Sequence, residues 1–211
     1  MEEVMIYRLS EKAITISWNP KIDRDINALV LETDRRICVR PFIGWIENVP
    51  AYHTLTVYYD PFVAEFDPSQ LLYEIAARDL ESALFNGRKL RIPVQYNGPD
   101  LHLASEKLGL SPEELIRIHH SRIYHVYMLG FMPGFPYMGT LADELVISRK
   151  DIPAPKVKAG SVAIAGYQTG VYPFDSPGGW YVIGHTNIAL FSDGKAYFEA
   201  GDEVEFYPVT N

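Results

Sequence analysis

Apolar and polar residues alternate in short runs through the first third of the chain. Residues 5–10 (MIYRLS) and 13–18 (AITISW) predict two strands separated by the polar pair Glu11-Lys12. Asn19-Pro20 supplies an N-cap followed by proline at the first helical position, and the helix it predicts, Pro20 to Asp34, carries Ile22, Ile26, Leu29 and Val30 on one face. Arg36 to Val39 and Gly44 to Val49 read as mixed strand and turn. His53 to Tyr59 (HTLTVYY) alternates and is β-branched, so it reads as a strand. Asp67-Pro68-Ser69-Gln70 is a capping box that opens a second helix over Pro68 to Leu84, with Leu72, Ile75, Ala76, Leu80 and Ala83 on its apolar face and Asn86-Gly87 ending it.

The pattern then changes. Lys89 to Tyr96 predicts a strand, Pro99-Asp100 opens a short helix that stops at Gly109, and the capping box Ser111-Pro112-Glu113-Glu114 opens another that runs to Ser121. Beyond it the helical signals fade. Tyr124 to Leu129, Ser161 to Gly166, Trp180 to Ile183, Asn187 to Phe191 and Glu203 to Tyr207 read as short strands between Gly/Pro turns, a pattern of barrels and sandwiches. The fold class is therefore α+β. Residues 1–87 form a small N-terminal α+β domain in the order β-β-α-β-β-α, and residues 88–211 form a second, strand-rich domain.

The stretch from Gly130 to Thr186 is dense in glycine, proline and aromatic residues, a composition hostile to helices and too aromatic for disorder. It predicts shaped loops held by short strands, the usual carriers of binding sites. The net charge of −8 over 211 residues and the lack of a basic run point away from nucleic acid and from anionic membrane surfaces. No apolar run approaches the ~20 residues of a membrane span, and the first residues lack an apolar signal core. Cys38 is the only cysteine, which excludes an internal disulfide and makes the cytoplasm the expected location.

Common catalytic motifs are missing: neither phosphate-loop pattern nor a G-x-S-x-G elbow is found. Cys38, between Ile37 and Val39, is expected to be a buried, inert thiol. His119, His120 and His125 lack metal-ligand spacing, and no metal is expected. Arg149, Lys150, Lys156 and Lys158 bring positive charge into the central loops, where they either hold a carboxylate or phosphate or belong to a solvated loop. Gln168 has an amide able to bridge a polar substrate or to satisfy a tight turn. Ser161 and Ser176 offer hydroxyls. Phe135, Tyr137 and Trp180 either wall an apolar pocket or pack a core.

Together the segments GFMPGFPYMG, AGSVAIAGYQTGVYP, SPGGWYVIGHT and AGDEVEF, with NGPDLHLASEKLGLSPEELIRIHHSRIYHVYMLGF upstream, resemble the KipI/PxpB family. That family is also described as allophanate hydrolase subunit 1, or as subdomains C and D of carboxyltransferase domains. The resemblance spans nearly the whole chain and is strongest from Tyr96 to Tyr207. It implies a small N-terminal α+β domain followed by a cyclophilin-like β-barrel domain. It also implies the role of the PxpB-type subunit in an ATP-dependent 5-oxoprolinase, which opens the lactam of 5-oxoproline to glutamate. The partners it implies are a KipA/PxpC-like subunit and a LamB/YcsF-like subunit, with ATP entering through the complex. One branch of the family inhibits a histidine kinase, and fused relatives form part of urea carboxylase.

By position, the resemblance places the family's helix-end histidine at His119, its loop arginine at Arg149 and its QTG at Gln168-Thr169-Gly170. The implied roles are a proton carrier at His119, a carboxylate or phosphate holder at Arg149 and an amide-orienting group at Gln168. Phe135, Tyr137, Ser161, Thr169, Ser176, Gly178, Gly179 and Trp180 are the implied substrate contacts. The chain departs from the family pattern at Ala154, where a basic residue is usual, at Lys158, where proline is usual, and at His185, where Arg or Lys is usual. The isolated chain is expected to be inactive.

Overall fold

The structure, a computed structural model, describes residues 4–64, 66–77 and 87–210. The chain divides into two compact units, Met1–Asn86 and Gly87–Asn211.

In the first unit, β1 (Met5–Ser10), β2 (Ala13–Ser17), β3 (Trp45–Ala51) and β4 (Thr54–Tyr59) form an antiparallel sheet in the order β1-β2-β4-β3. Strand β4 buries every second residue, Leu55, Val57 and Tyr59, as a half-covered strand must. These pack with Ile14 and Ile16 against helix α1 (Arg24–Val39) and helix α3 (Ser69–Ala76); α2 (Pro61–Ala64) is a single turn before α3.

Helix α1 starts later and ends later than the sequence predicts. Its N-cap is Asp23, whose carboxylate accepts from the backbone N–H groups of Asp25 and Ile26. At its far end Ile37 continues the buried face set by Ile26, Val30 and Thr33, so the stretch Arg36 to Val39, expected as mixed strand and turn, is instead the last turn of the helix. Cys38 therefore falls on the outer side. It is exposed, not buried as expected; its thiol donates to Asp34 at 3.6 Å, and partial burial and that carboxylate hold its pKa above the ordinary value. Helix α3 opens beside Asp67, which accepts from both the backbone N–H and the hydroxyl of Ser69. The predicted continuation of this helix to Leu84 lies outside the described residues.

The second unit runs β5 (Lys89–Val94), α4 (Leu101–Leu108), α5 (Pro112–His120), β6 (Ile123–Leu129) and β7 (Pro136–Gly139). After a 3₁₀ turn at Asp143–Leu145 come β8 (Ala154–Val157), β9 (Ser161–Ala165), β10 (Gln168–Val171), β11 (Ser176–Gly178) and β12 (Tyr181–His185). The ribbon β13 (Phe191–Ser192) and β14 (Lys195–Ala196) precedes the last strand, β15 (Glu203–Pro208). Helix α5 opens with the predicted capping box, Ser111 and Glu114 each bonding the other's backbone N–H.

Seven strands form one sheet in the order β12-β9-β10-β7-β6-β15-β5, antiparallel except for the β15–β5 pair. The sheet curls until its outer strands approach: Gln95, just past β5, and His185, at the end of β12, exchange both backbone hydrogen bonds at 2.9 Å. Asp202 is 2% exposed and clamps the start of β15 to the start of β5 by accepting from the Arg88 side chain and from the N–H groups of Arg88 and Glu199. The strand expected over Asn187 to Phe191 does not form, because Leu190 reaches the core from a loop and only Phe191–Ser192 pairs with a neighbour.

Strand β9 sets the layering around the site. Val162 and Ile164 join the main core under α4 and α5, whereas Ala163 and Ala165 face a second cluster built on Phe135, Tyr172 and Trp180. Successive strand residues point to opposite faces, so the small alanines leave space for rings on one side while the branched residues fill the other.

Candidate functional site

The aromatic cluster opens into a cavity of about 230 Å³. Phe135 stands at its centre, 1% exposed, with edge-to-face neighbours Tyr137 at 5.0 Å, Tyr172 at 5.1 Å and Trp180 at 5.4 Å between ring centroids. This is the arrangement ring quadrupoles favour. The ring edge of Phe135 rests on Gly170, where an added Cβ would lie 2.9 Å from it. The Tyr172 hydroxyl accepts from the Trp180 backbone and covers Gly178, which a side chain at that position would strike. Burial raises the phenol of Tyr137 and pushes that of Tyr172 up to about 12, while the positive charge of Arg149 pulls both the other way. Both phenols therefore stay protonated at neutral pH.

Arg149 lines this cavity with Gly178 and Gly179. It sits on a short loop fixed at both ends: the Ile147 carbonyl accepts from the Gly166 N–H at 2.6 Å, and the Lys150 N–H donates to the Gly179 carbonyl at 2.8 Å. The Arg149 side chain is exposed and makes no hydrogen bond or ion pair among the described residues. A held backbone with an uncommitted guanidinium is an arrangement suited to a planar anion. Phe131, not among the expected site residues, also lines the cavity and packs edge-to-face on Phe135 at 5.8 Å. Its backbone is left-handed, φ 67°, a conformation invisible in the residue type.

Of the expected site residues, the structure thus gathers Phe135, Tyr137, Arg149, Gly178, Gly179 and Trp180 around one cavity. Ser161 lines a different one, of about 670 Å³, together with Lys150, Lys156, Lys158 and His185. Gln168 lies partly buried on β10, paired with Gly139 and Ala165, and lines neither cavity. The Ser176 hydroxyl is buried without a hydrogen-bond partner, also outside both linings.

His119 and Thr169 are fully buried and line neither cavity. Thr169 donates to the Ala163 carbonyl at 3.1 Å, so its oxygen accepts from His119 Nε2–H at 2.9 Å, and His119 Nδ1 accepts from the Tyr96 hydroxyl at 2.8 Å. Every proton in this series of bonds is assigned with a neutral imidazole. Burial, with His120 nearby, pulls the His119 pKa down to about 3. His119, expected as a proton carrier, is an imidazole bonded at both nitrogens and set between the Tyr124 and Phe206 rings, away from both cavities. Among the described residues no three His, Cys, Asp or Glu side chains gather as a metal-binding group, and no helix there is long and apolar enough to cross a membrane.

Comparison with known proteins places this geometry in a group. The B-type subunit of 5-oxoprolinase from Bacillus subtilis (strain 168) is 40% identical over 222 residues, covering 97% of this chain and 92% of that protein. The corresponding B-type subunit from Escherichia coli O157:H7 is 35% identical, covering 99% and 97% respectively. The crystal structure of TTHA0988 matches with a TM-score of 0.84 at 32% identity; the match covers 98% of this chain and 41% of that one, so this chain spans under half of its length. The family described as "Carboxyltransferase domain, subdomain C and D" matches residues 4–198, and the chain belongs to that family.

Proposed function

We propose that this chain is the B-type subunit of an ATP-dependent 5-oxoprolinase that opens 5-oxo-L-proline to L-glutamate, and that it is inactive alone. The observation that carries the reading is the 40% identity, over 97% of the chain, to a protein named as that subunit of 5-oxoprolinase. In this reading a KipA/PxpC-like subunit and a LamB/YcsF-like subunit complete the enzyme in the cytoplasm. The complex uses ATP, and the sequence of this chain carries neither common phosphate-loop motif. The curled sheet of the second unit is then a cyclophilin-like barrel, and the division near residue 87 is a domain boundary, which agrees with the Gln95–His185 bridge and with the two compact units.

The aromatic cavity suits the substrate chemistry. At about 230 Å³ it is smaller than the ~300 Å³ at which drug-sized pockets begin, a scale for a small, flat acid. Arg149 would hold the substrate carboxylate, with Trp180, Tyr137 and Phe135 against the ring and the Gly178-Gly179 backbone at its edge. Opening the lactam needs its carbonyl activated at the expense of ATP and water added to it. The isolated chain offers no titratable base in this cavity, since both phenols are held protonated. The reactive groups would therefore come from the partner subunits. Gln168 and Ser176 receive no substrate contact within the isolated chain.

The test is reconstitution with the candidate partners and measurement of ADP release with and without 5-oxoproline, omitting each component in turn. Release that requires both 5-oxoproline and this chain is expected. Arg149→Ala should lower kcat/KM roughly 10- to 100-fold, the worth of one charge-assisted contact, without unfolding the chain. Turnover by this chain alone, or release indifferent to its omission, would refute the proposal. The family description favours one alternative, a carboxyltransferase component; transfer of the carboxyl group from a carboxylated biotin carrier to an acceptor, requiring this chain and not 5-oxoproline, would establish it. Inhibition of histidine-kinase autophosphorylation, without such release, would identify a KipI-type inhibitor.

A further inference from the structure

The larger cavity, about 670 Å³, is separate from the aromatic one and lies where the curled sheet meets its own edge. Its lining is more basic than the chain as a whole. Lys150, Lys156 and Lys158 line it with a single carboxylate, Asp100, in a protein of net charge −8. That carboxylate is already committed: Asp100 Oδ2 accepts from Lys150 Nζ at 2.8 Å and from the Val182 N–H at 2.9 Å. Lys156 is paired with Asp175 at 2.7 Å in an exposed contact, and the Asp175 carboxylate also accepts from the Ala159 N–H. Lys158, exposed, makes no ion pair among the described residues.

A second observation is independent of charge. Ser161 is only 5% exposed, yet its hydroxyl makes no hydrogen bond among the described residues, and it lines this cavity. Its oxygen is not among the buried partnerless atoms, so it opens into the cavity, where it can meet a ligand. Beside it, on the neighbouring strand, its register partner His185 has a ring oriented by a 3.1 Å contact between Nε2 and Asn187 Oδ1 and lying against the backbone of Gly160. Mobile lysine ammoniums, a hydroxyl and no arginine fork make a poor match for one planar carboxylate. They match a phosphoryl group, whose oxygens can be shared among several point charges.

We propose that this cavity is a binding site for a phosphoryl group, with Lys158 and the Ser161 hydroxyl as its direct ligands and Lys156 moving onto it from Asp175. Strand β8 and the residue that follows it supply this wall, with Ala154, Lys156, Val157 and Lys158 all lining the cavity. The volume lies within the ~300–1,000 Å³ range of small-molecule sites, so it admits a nucleoside phosphate as well as free pyrophosphate. The phosphoryl site does not depend on the lactam-opening reading: its test uses this chain alone and no turnover, so either can fail while the other holds.

The experiment is calorimetric titration of the full chain with pyrophosphate, with ATP and with glutamate at fixed ionic strength. Pyrophosphate or ATP should bind, and in Arg149→Ala, which removes the cation of the aromatic cavity, glutamate should bind at least about tenfold more weakly than either. Lys158→Glu, at an exposed position, should weaken phosphate binding roughly tenfold or more, and Ser161→Ala severalfold. Arg149→Ala, in the other cavity, should leave it within twofold. Tighter binding of ATP than of pyrophosphate identifies a nucleotide as the source of the phosphoryl group; equal binding identifies the inorganic anion. No binding of either phosphate compound, glutamate binding as tightly as pyrophosphate in Arg149→Ala, or affinity unchanged in Lys158→Glu would overturn the proposal.

Discussion

His119 Nε2 lies 2.9 Å from Thr169 Oγ1, which joins the last turn of α5 to the middle of β10 through a fully buried contact. Because His119 Nδ1 also accepts from Tyr96, the pair closes a series of donors and acceptors in which the imidazole is neutral. The pH dependence follows from the sign of the shift. The folded imidazole titrates at about 3, against an ordinary value of 6.5 in the unfolded chain. As the pH falls below 6.5 the unfolded chain gains a proton that the folded one refuses. Stability should fall across the interval from about 6.5 to about 3, by at most ~1.4 kcal/mol per pH unit from this group. Urea unfolding at pH 7.5 and pH 5 should show the loss, and the difference should shrink in His119→Gln, which cannot titrate. His119→Ala strands the Tyr96 and Thr169 hydroxyls and should cost about 2–4 kcal/mol at neutral pH. An equal pH response in His119→Gln and the unaltered protein would remove the imidazole from the account.

Two adjacent glycines should respond in opposite ways. A Cβ on Gly178 would collide with the Tyr172 hydroxyl, whereas the nearest atom to a Cβ on Gly179 is the Lys150 carbonyl oxygen at 3.8 Å, an ordinary contact. Gly178→Ala should destabilise by about 1–3 kcal/mol, the usual cost of overpacking, and Gly179→Ala should be close to neutral. Adding Tyr172→Phe to Gly178→Ala should recover part of the loss by removing the oxygen. Thermal unfolding of the four proteins decides the matter; equal effects of the two alanines would mean that the tyrosine moves freely.

Phe131 holds a left-handed backbone, which costs an L residue about 1–2 kcal/mol, and it is 63% exposed. Its contact with Phe135 at the cavity mouth is the visible return for that strain. Asparagine tolerates the same backbone. Phe131→Asn should therefore raise stability by about 0.5–1 kcal/mol while raising the KM of the reconstituted enzyme for 5-oxoproline severalfold. Denaturant melts alongside steady-state kinetics measure both quantities. A stabilised protein with unaltered KM would show that the ring does not wall the site.

Much of the framework can be read from the residues. The capping box at Ser111 and Glu114 opens α5 where the pattern places it, because both halves of the motif are local. The alternation over Thr54–Tyr59 likewise gives β4 its buried face. The boundary errors have a physical cause. Asn19-Pro20 looks like a helix start, but Asp23 is the residue whose carboxylate meets two free N–H groups. The turn around Ile37 is helical because the core takes that side chain, which local propensity cannot reveal. At the site, aromatic density marks Phe135, Tyr137 and Trp180 as a group, yet their open alternatives, pocket or core, are both realised: the rings are buried and still border a cavity. The separation of Ser161 from Arg149 into two cavities, and the burial of His119, depend on strand pairing between residues far apart in the chain and leave no trace in spacing.

Strand β9 faces two environments with two kinds of side chain, Val162 and Ile164 inward, Ala163 and Ala165 toward the rings. The rings that wall the aromatic cavity thus rest on two alanine positions whose neighbours on the other face belong to the main core. A change of side-chain size there would shift the rings while the core on the other face kept its shape. One face of a single five-residue strand can therefore change how the rings are seated without the fold having to follow.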